Sequence, residues 1–90
     1  DEGSIPGIQI HHGGRQISPR VINQLPLAPS DLSCPTIKSQ VKPMSIEDIK
    51  DMVIKFGDAA RRAVQAGFEL IEIHGAHGYL VNQFLSRFSN

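Results

Sequence analysis

The stretch ELIEIHGAHGYLVNQFLS, residues 69–86, decides how the chain is read. Its first half alternates like a strand. Leu70, Glu72 and His74, with Phe68 just upstream, fall on one face, and Glu69, Ile71 and Ile73 fall on the other. A strand that only had to pack would end on any turn residue. This one ends on His74, His77 and Tyr79, three groups able to donate protons or hydrogen bonds. Gly75 and Gly78 lie among them and let the backbone turn tightly and approach a ligand closely. Beyond the turn, Leu80, Phe84 and Phe88 recur at helical spacing, which predicts a further helix with a packing stripe.

Upstream lies the clearest element, a helix predicted from Ser45 to about Ala66. Ser45 is its N-cap and Asp48, three residues on, completes a capping box with Asp in place of Glu. Ile46, Ile49, Val53, Phe56, Ala60 and Ala63 draw one apolar stripe along it. Asp51 with Lys55 and Asp58 with Arg62 are acid-first i,i+4 pairs on the solvated side. Arg61 and Arg62 suit the C-terminal end of the helix dipole, and Gly67 is the expected residue after its last turn. Further upstream, Gly7 to His11 reads as a short strand in which Ile8 and Ile10 alternate with Gln9 and His11.

Strand, helical crossover and strand make a βαβ unit with two parallel strands. Parallel sheets need cover on both faces, and a lone pair leaves two bare edges. The chain therefore reads as α/β, a slice of a larger fold and most simply of a barrel; both ends look cut from a longer chain. Residues 13–44 carry five prolines and no helical period. A loop beyond about 12–15 residues commonly borders a site. Within it, TIKSQVK (36–42) alternates weakly and is a candidate hairpin.

Charge and composition exclude more than they select. Lys plus Arg equals Asp plus Glu, nine of each, so there is no basic surface to argue for nucleic acid or an anionic membrane. No apolar run approaches the roughly 18–20 residues of a membrane span, and a cytoplasmic location is the default reading. The single cysteine, Cys34, forms no intrachain disulfide and reads as a passive loop thiol.

In parallel α/β folds, reactive groups gather at the carboxyl ends of strands. Both predicted strands put polar groups there: Gln9, His11 and His12 on the first, His74, His77 and Tyr79 on the second. Other readings stand beside this one. Gln9 can satisfy a strand edge, and His11 and His12 read as packing or loop-anchoring residues. Arg15 holds the loop through carbonyl oxygens, or partners Glu72. Four histidines also raise a zinc site, although His74 and His77 sit in a Gly-rich turn rather than at i,i+4 on a helix.

IQIHHGGRQ (8–16) followed by IEIHGAHGYLVNQFLS (71–86) resembles the Old Yellow Enzyme family of FMN-dependent oxidoreductases, in the branch with bacterial ene-reductases and 2,4-dienoyl-CoA reductases. The likeness takes in PLAPS (26–30) as well. It implies a (β/α)8 barrel of about 250 residues or more, with this chain holding the third and fourth strands, the helix between them and the start of the next. It implies FMN as cofactor, NAD(P)H as electron donor and a small unsaturated carbonyl compound as substrate. Gln9 then matches the residue that hydrogen-bonds the flavin ring, His74 and His77 the pair on the substrate's carbonyl oxygen, and Tyr79 the proton donor. Arg87 departs from the pattern, which has proline there. The resemblance also implies that a chain of ninety residues, lacking the late phosphate site of such barrels, is inactive alone.

Hydride arriving at the β-carbon of an enone leaves negative charge on the carbonyl oxygen. Two fixed donors stabilise that oxygen, and loss of one such donor costs about 10²–10³ in rate. A phenol keeps its proton at neutral pH and can deliver it to the α-carbon.

Overall fold

A computed structural model describes residues 3–90. Its central unit is the predicted βαβ. β1 (Gly7–Ile10) pairs in parallel with β4 (Leu70–Ile73), and the connection contains α2 (Ile46–Gln65). The register sets Gly7 against Leu70, Gln9 against Glu72 and Ile10 against Ile73. Alternation then sorts the pair of strands. Gln9 and Glu72 share one face, while Ile10, Ile71 and Ile73 look toward α2. β1 stops one residue short of the predicted His11.

α2 starts as its sequence dictates. Ser45 accepts a hydrogen bond from the Asp48 amide at 3.0 Å, and the Asp48 carboxylate accepts one from the Ser45 amide at 3.0 Å. The bond from the Ser45 amide, and after it the Ser45 side chain, hold the Asp48 carboxyl below the usual carboxylate range. Gly67 follows the helix's cap residue Ala66, and its φ of +101° suits glycine. The stripe is narrower than the spacing predicts. Ala63 is buried, and Ile49, Met52, Phe56 and Ala60 line the side turned to the sheet, but Ile46 on the first turn stays 67% exposed. Lys55 reaches Asp51 at 3.7 Å as expected, whereas Asp58 pairs with Arg61 at 2.8 Å rather than with Arg62. At i,i+3 the Arg61 guanidinium is already within reach of the carboxylate.

The long loop is more ordered than its composition suggests. It holds α1 (Pro19–Ile22) and two short strands, β2 (Leu27–Ala28) and β3 (Lys42–Pro43), which pair in parallel. The expected hairpin in residues 36–42 does not form. Lys38 sits at φ +56° in a turn closed by its amide on Cys34 O at 2.7 Å. Lys42 and Met44 instead donate to Pro26 O and Ala28 O, each at 2.8 Å. Val41 and Met44 are buried there, as are Pro26 and Ala28, apolar burial that a hairpin tip of Thr, Lys and Ser cannot match. Cys34 is buried, and its Sγ lies 3.2 Å from Thr36 Oγ1.

α3 (Leu80–Leu85) follows the turn after β4. Leu80 is buried and Phe84 faces the sheet. The predicted stripe breaks at Phe88, which is 89% exposed beyond the end of the helix. Between α2, α3 and the isoleucine face of the sheet runs an apolar groove of about 520 Å³. Among the described residues no helix is long and apolar enough to cross a membrane.

Candidate active site

Two turns leave the carboxyl ends of the paired strands and meet. The parallel register fixes the first contact. His11 and His74 continue the Gln9–Glu72 face by one step on each strand, the His74 amide donating to Ile10 O at 3.0 Å. The His11 and His74 rings stand 5.5 Å apart between centroids.

The second turn has unusual backbone geometry. His77 (φ +58°) and Gly78 (φ +74°) are both left-handed, and the Tyr79 amide donates to Ala76 O at 3.2 Å, as in a type I′ turn. Histidine in that region carries strain, which persists only where neighbours hold it. Gln16 supplies the hold: its side-chain amide donates to His77 O at 2.8 Å, and a Cβ on Gly78 would crowd that amide.

The turn brings the predicted site residues together. His74 lies 5.3 Å from His77, ring edge to ring face, and 5.1 Å from Tyr79. His11 lies 5.1 Å from Tyr79, so its ring packs against the group, in keeping with its reading as a packing residue. Gln9 and His11 are two residues apart, so once the register sets Gln9 beside Glu72, alternation carries His11 to the side of His74.

Hydrogen bonds define which ring nitrogen bears the proton. The Ala76 amide donates to His74 Nδ1 at 3.2 Å, so the neutral ring carries its proton on Nε2 and presents a donor there. His12 is arranged alike, its Nδ1 accepting from the Gly14 amide at 2.9 Å. Burial, then the nearby charges of His11 and Lys55, push the His12 pKa below the ordinary histidine value. His12 thus anchors its loop as a neutral ring, as expected.

The sign for stability follows. Unfolded, His12 takes up a proton at the ordinary value near 6.5, while the folded ring resists it. In that window the unfolded state binds more protons, so stability falls as pH drops below about 6.5 and levels off below the folded pKa. Thermal unfolding between about pH 7 and about pH 5 should show this slope. His12→Asn should flatten it, and an unchanged slope in that variant would contradict the assignment.

One sequence expectation needs correcting. Glu72 does not partner Arg15: its Oε1 accepts from the Gln9 amide, because the register makes Gln9 its direct neighbour. Arg15 turns to the long loop and donates to Leu32 O at 3.3 Å and Ser33 O at 3.1 Å, the anchoring alternative. As for zinc, no group of three or more His, Cys, Asp or Glu side chains among the described residues is arranged to hold a metal ion.

A parallel βαβ unit with donor groups crowded at its carboxyl edge is the layout of an α/β barrel segment with its site at the strand ends. Comparison with known proteins agrees. The model of the NADH:flavin oxidoreductase / NADH oxidase family matches residues 1–90. The chain is 46% identical over 84 residues to an NADH oxidase of Thermoanaerobacter brockii, covering 92% of this chain and 13% of that protein. It is 44% identical over 91 residues to an NADH:fumarate oxidoreductase of Klebsiella pneumoniae, covering 99% of this chain and 10% of the other. It is 46% identical over 88 residues to an NADPH dehydrogenase of Clostridium acetobutylicum, covering 98% of this chain and 25% of that protein. Histamine dehydrogenase from Rhizobium sp. 4-9 superposes with a TM-score of 0.84 at 36% identity, over 94% of this chain and 14% of that one. The fold is a segment of a (β/α)8 barrel. The chain belongs to the NADH:flavin oxidoreductase / NADH oxidase family, and it spans between 10% and 25% of the length of these three relatives.

Proposed function

We propose that the protein carrying this segment is an FMN-dependent oxidoreductase that reduces C=C bonds conjugated to a carbonyl, using electrons from NAD(P)H. The family supports flavin and nicotinamide use. The observation that carries the finer reading is the meeting of His74, His77 and Tyr79 where the two strands end. On this reading β1 and β4 are the third and fourth strands of the barrel, and residues 1–90 are one part of its single domain.

The donor set fits a flavin ring laid beside it. Gln9 is exposed on the same strand face as His11 and His74, and its amide, one N–H of which is held by Glu72, still offers a second N–H and its carbonyl oxygen, as ring carbonyls and ring N–H groups require. Bound there, the flavin supplies the hydride chemistry. His74, with its proton fixed on Nε2, and His77 beside it donate to the carbonyl oxygen of the substrate. They polarise the conjugated bond and stabilise the charge that develops on that oxygen. Tyr79, held against His74 and His11, delivers its phenolic proton to the carbon α to the carbonyl.

The direct test is an anaerobic assay of the FMN-loaded, full-length protein with NADH or NADPH and cyclohexenone. The expected result is nicotinamide oxidation matched mole for mole by saturated ketone. Nicotinamide oxidation that needs oxygen and leaves the enone intact would overturn the proposal.

A further inference from the structure

We propose that Gln83 is a positioning residue of this site, a latch whose single amide sets the distance between the two turns that carry its donors. Gln83 lies on α3 and is 1% exposed. Its Nε2 donates to Gly13 O at 3.3 Å, on the turn after β1, and to Gly78 O at 2.6 Å, on the turn after β4. Its Oε1 accepts from the Arg15 amide at 3.2 Å, again on the first turn. Both amide hydrogens and the carbonyl are therefore engaged, and the first-turn partners Arg15 and Gly13 lie 68 and 70 residues from Gln83 in sequence.

The partners flank the donors. Gly13 directly follows His11 and His12, and Gly78 stands between His77 and Tyr79. Three atoms of one planar group fix the relative placement of both turns more tightly than three independent contacts would. Gly14 confirms how close the fit is: it is buried at φ +58°, and a Cβ there would run into the Gln83 amide. Two further bonds run alongside the latch, from the Leu80 amide to His12 O at 2.8 Å and from Ser89 Oγ to Gln83 O at 2.9 Å. The second holds the Gln83 backbone, so the side chain acts from an anchored base. A displacement of donors by about 1 Å can cost on the order of 10²-fold in function.

The ligand-binding arm of the test rests on the proposed function; the exchange arm does not. Gln83→Met keeps the volume and removes the hydrogen bonds, and Gln83→Asn keeps the amide one methylene short of its partners. In the full-length protein without flavin, hydrogen exchange of the Arg15 amide should quicken by about tenfold or more in both variants. In the FMN-loaded protein, the Kd for phenol should rise by about tenfold or more while FMN affinity stays within about twofold. Unchanged Arg15 exchange overturns the latch itself. Released exchange with an unchanged phenol Kd overturns its positioning role, as does parallel weakening of phenol and FMN, or failure of both variants to fold. Wild-type protein that binds no phenol would count against the proposed function instead, with Arg15 exchange still deciding whether the latch exists.

Discussion

Alanine at both His74 and His77 should slow enone reduction by at least about 10²–10³-fold in the FMN-loaded protein, while the flavin stays bound. The reason lies in where the charge goes. A carbonyl oxygen that accepts the electrons pushed through the conjugated bond becomes anionic, and donors already fixed around it stabilise it without reorganising. His74 is fixed on three counts: its backbone is paired to β1, its Nδ1 is engaged by the Ala76 amide, and its ring is packed by His11 and Tyr79. His77 is held through a left-handed backbone and the Gln16 bond to its carbonyl. Neither histidine has a role on the opposite, isoleucine face, so their removal should not loosen the groove under α2. Steady-state kinetics with flavin absorbance as the control checks this. Undiminished turnover with flavin retained would remove the two imidazoles from the mechanism.

Tyr79→Phe should also have a large effect, a loss of about 10²–10⁴-fold in enone turnover, the usual range for a positioned proton donor. Phenylalanine keeps the ring that packs 5.1 Å from both His11 and His74, so only the hydroxyl is lost. Anaerobic reduction of the flavin by nicotinamide requires no proton at carbon and should proceed as before. Stopped-flow measurement of the two half-reactions separates them. If both slow together, Tyr79 is a structural residue of the turn; if neither slows, another group gives the proton.

Much of this was legible because the relevant signals are local. Ser45 and Asp48 spell out a capping box within four residues, and alternation in residues 68–74 sorts a strand into two faces. The turn residues His74, His77 and Tyr79 were visible for the same reason: they crowd one short segment rich in glycine. What sequence reasoning missed depends on contacts between distant segments. The role of Gln83 is invisible in a helical stripe, where it reads as a polar position, and emerges only when the HHGGR turn is folded against it. Pairing of Lys42–Pro43 with Leu27–Ala28 could not be inferred from TIKSQVK, because burial of Val41 and Met44 decides it and the partner lies 15 residues upstream. His11 is the instructive case. Its ring contacts with His74 and Tyr79 follow from alternation only once the parallel register is known, and they agree with a packing role, while His12 is the loop anchor. The Arg15–Glu72 pairing failed through charge being weighed above register: the neutral amide across the ladder was nearer than the cation beyond the strand.

The central claim is geometric, so the decisive measurement is a crystal structure of the full-length, FMN-loaded protein with a phenol bound, its oxygen standing in for the charged carbonyl oxygen. The account predicts that oxygen within about 3 Å of a ring nitrogen from each of His74 and His77, with the Nε2 of His74 as one of the two donors. A phenol oxygen held by other groups, or by one imidazole with the second turned away, would contradict it.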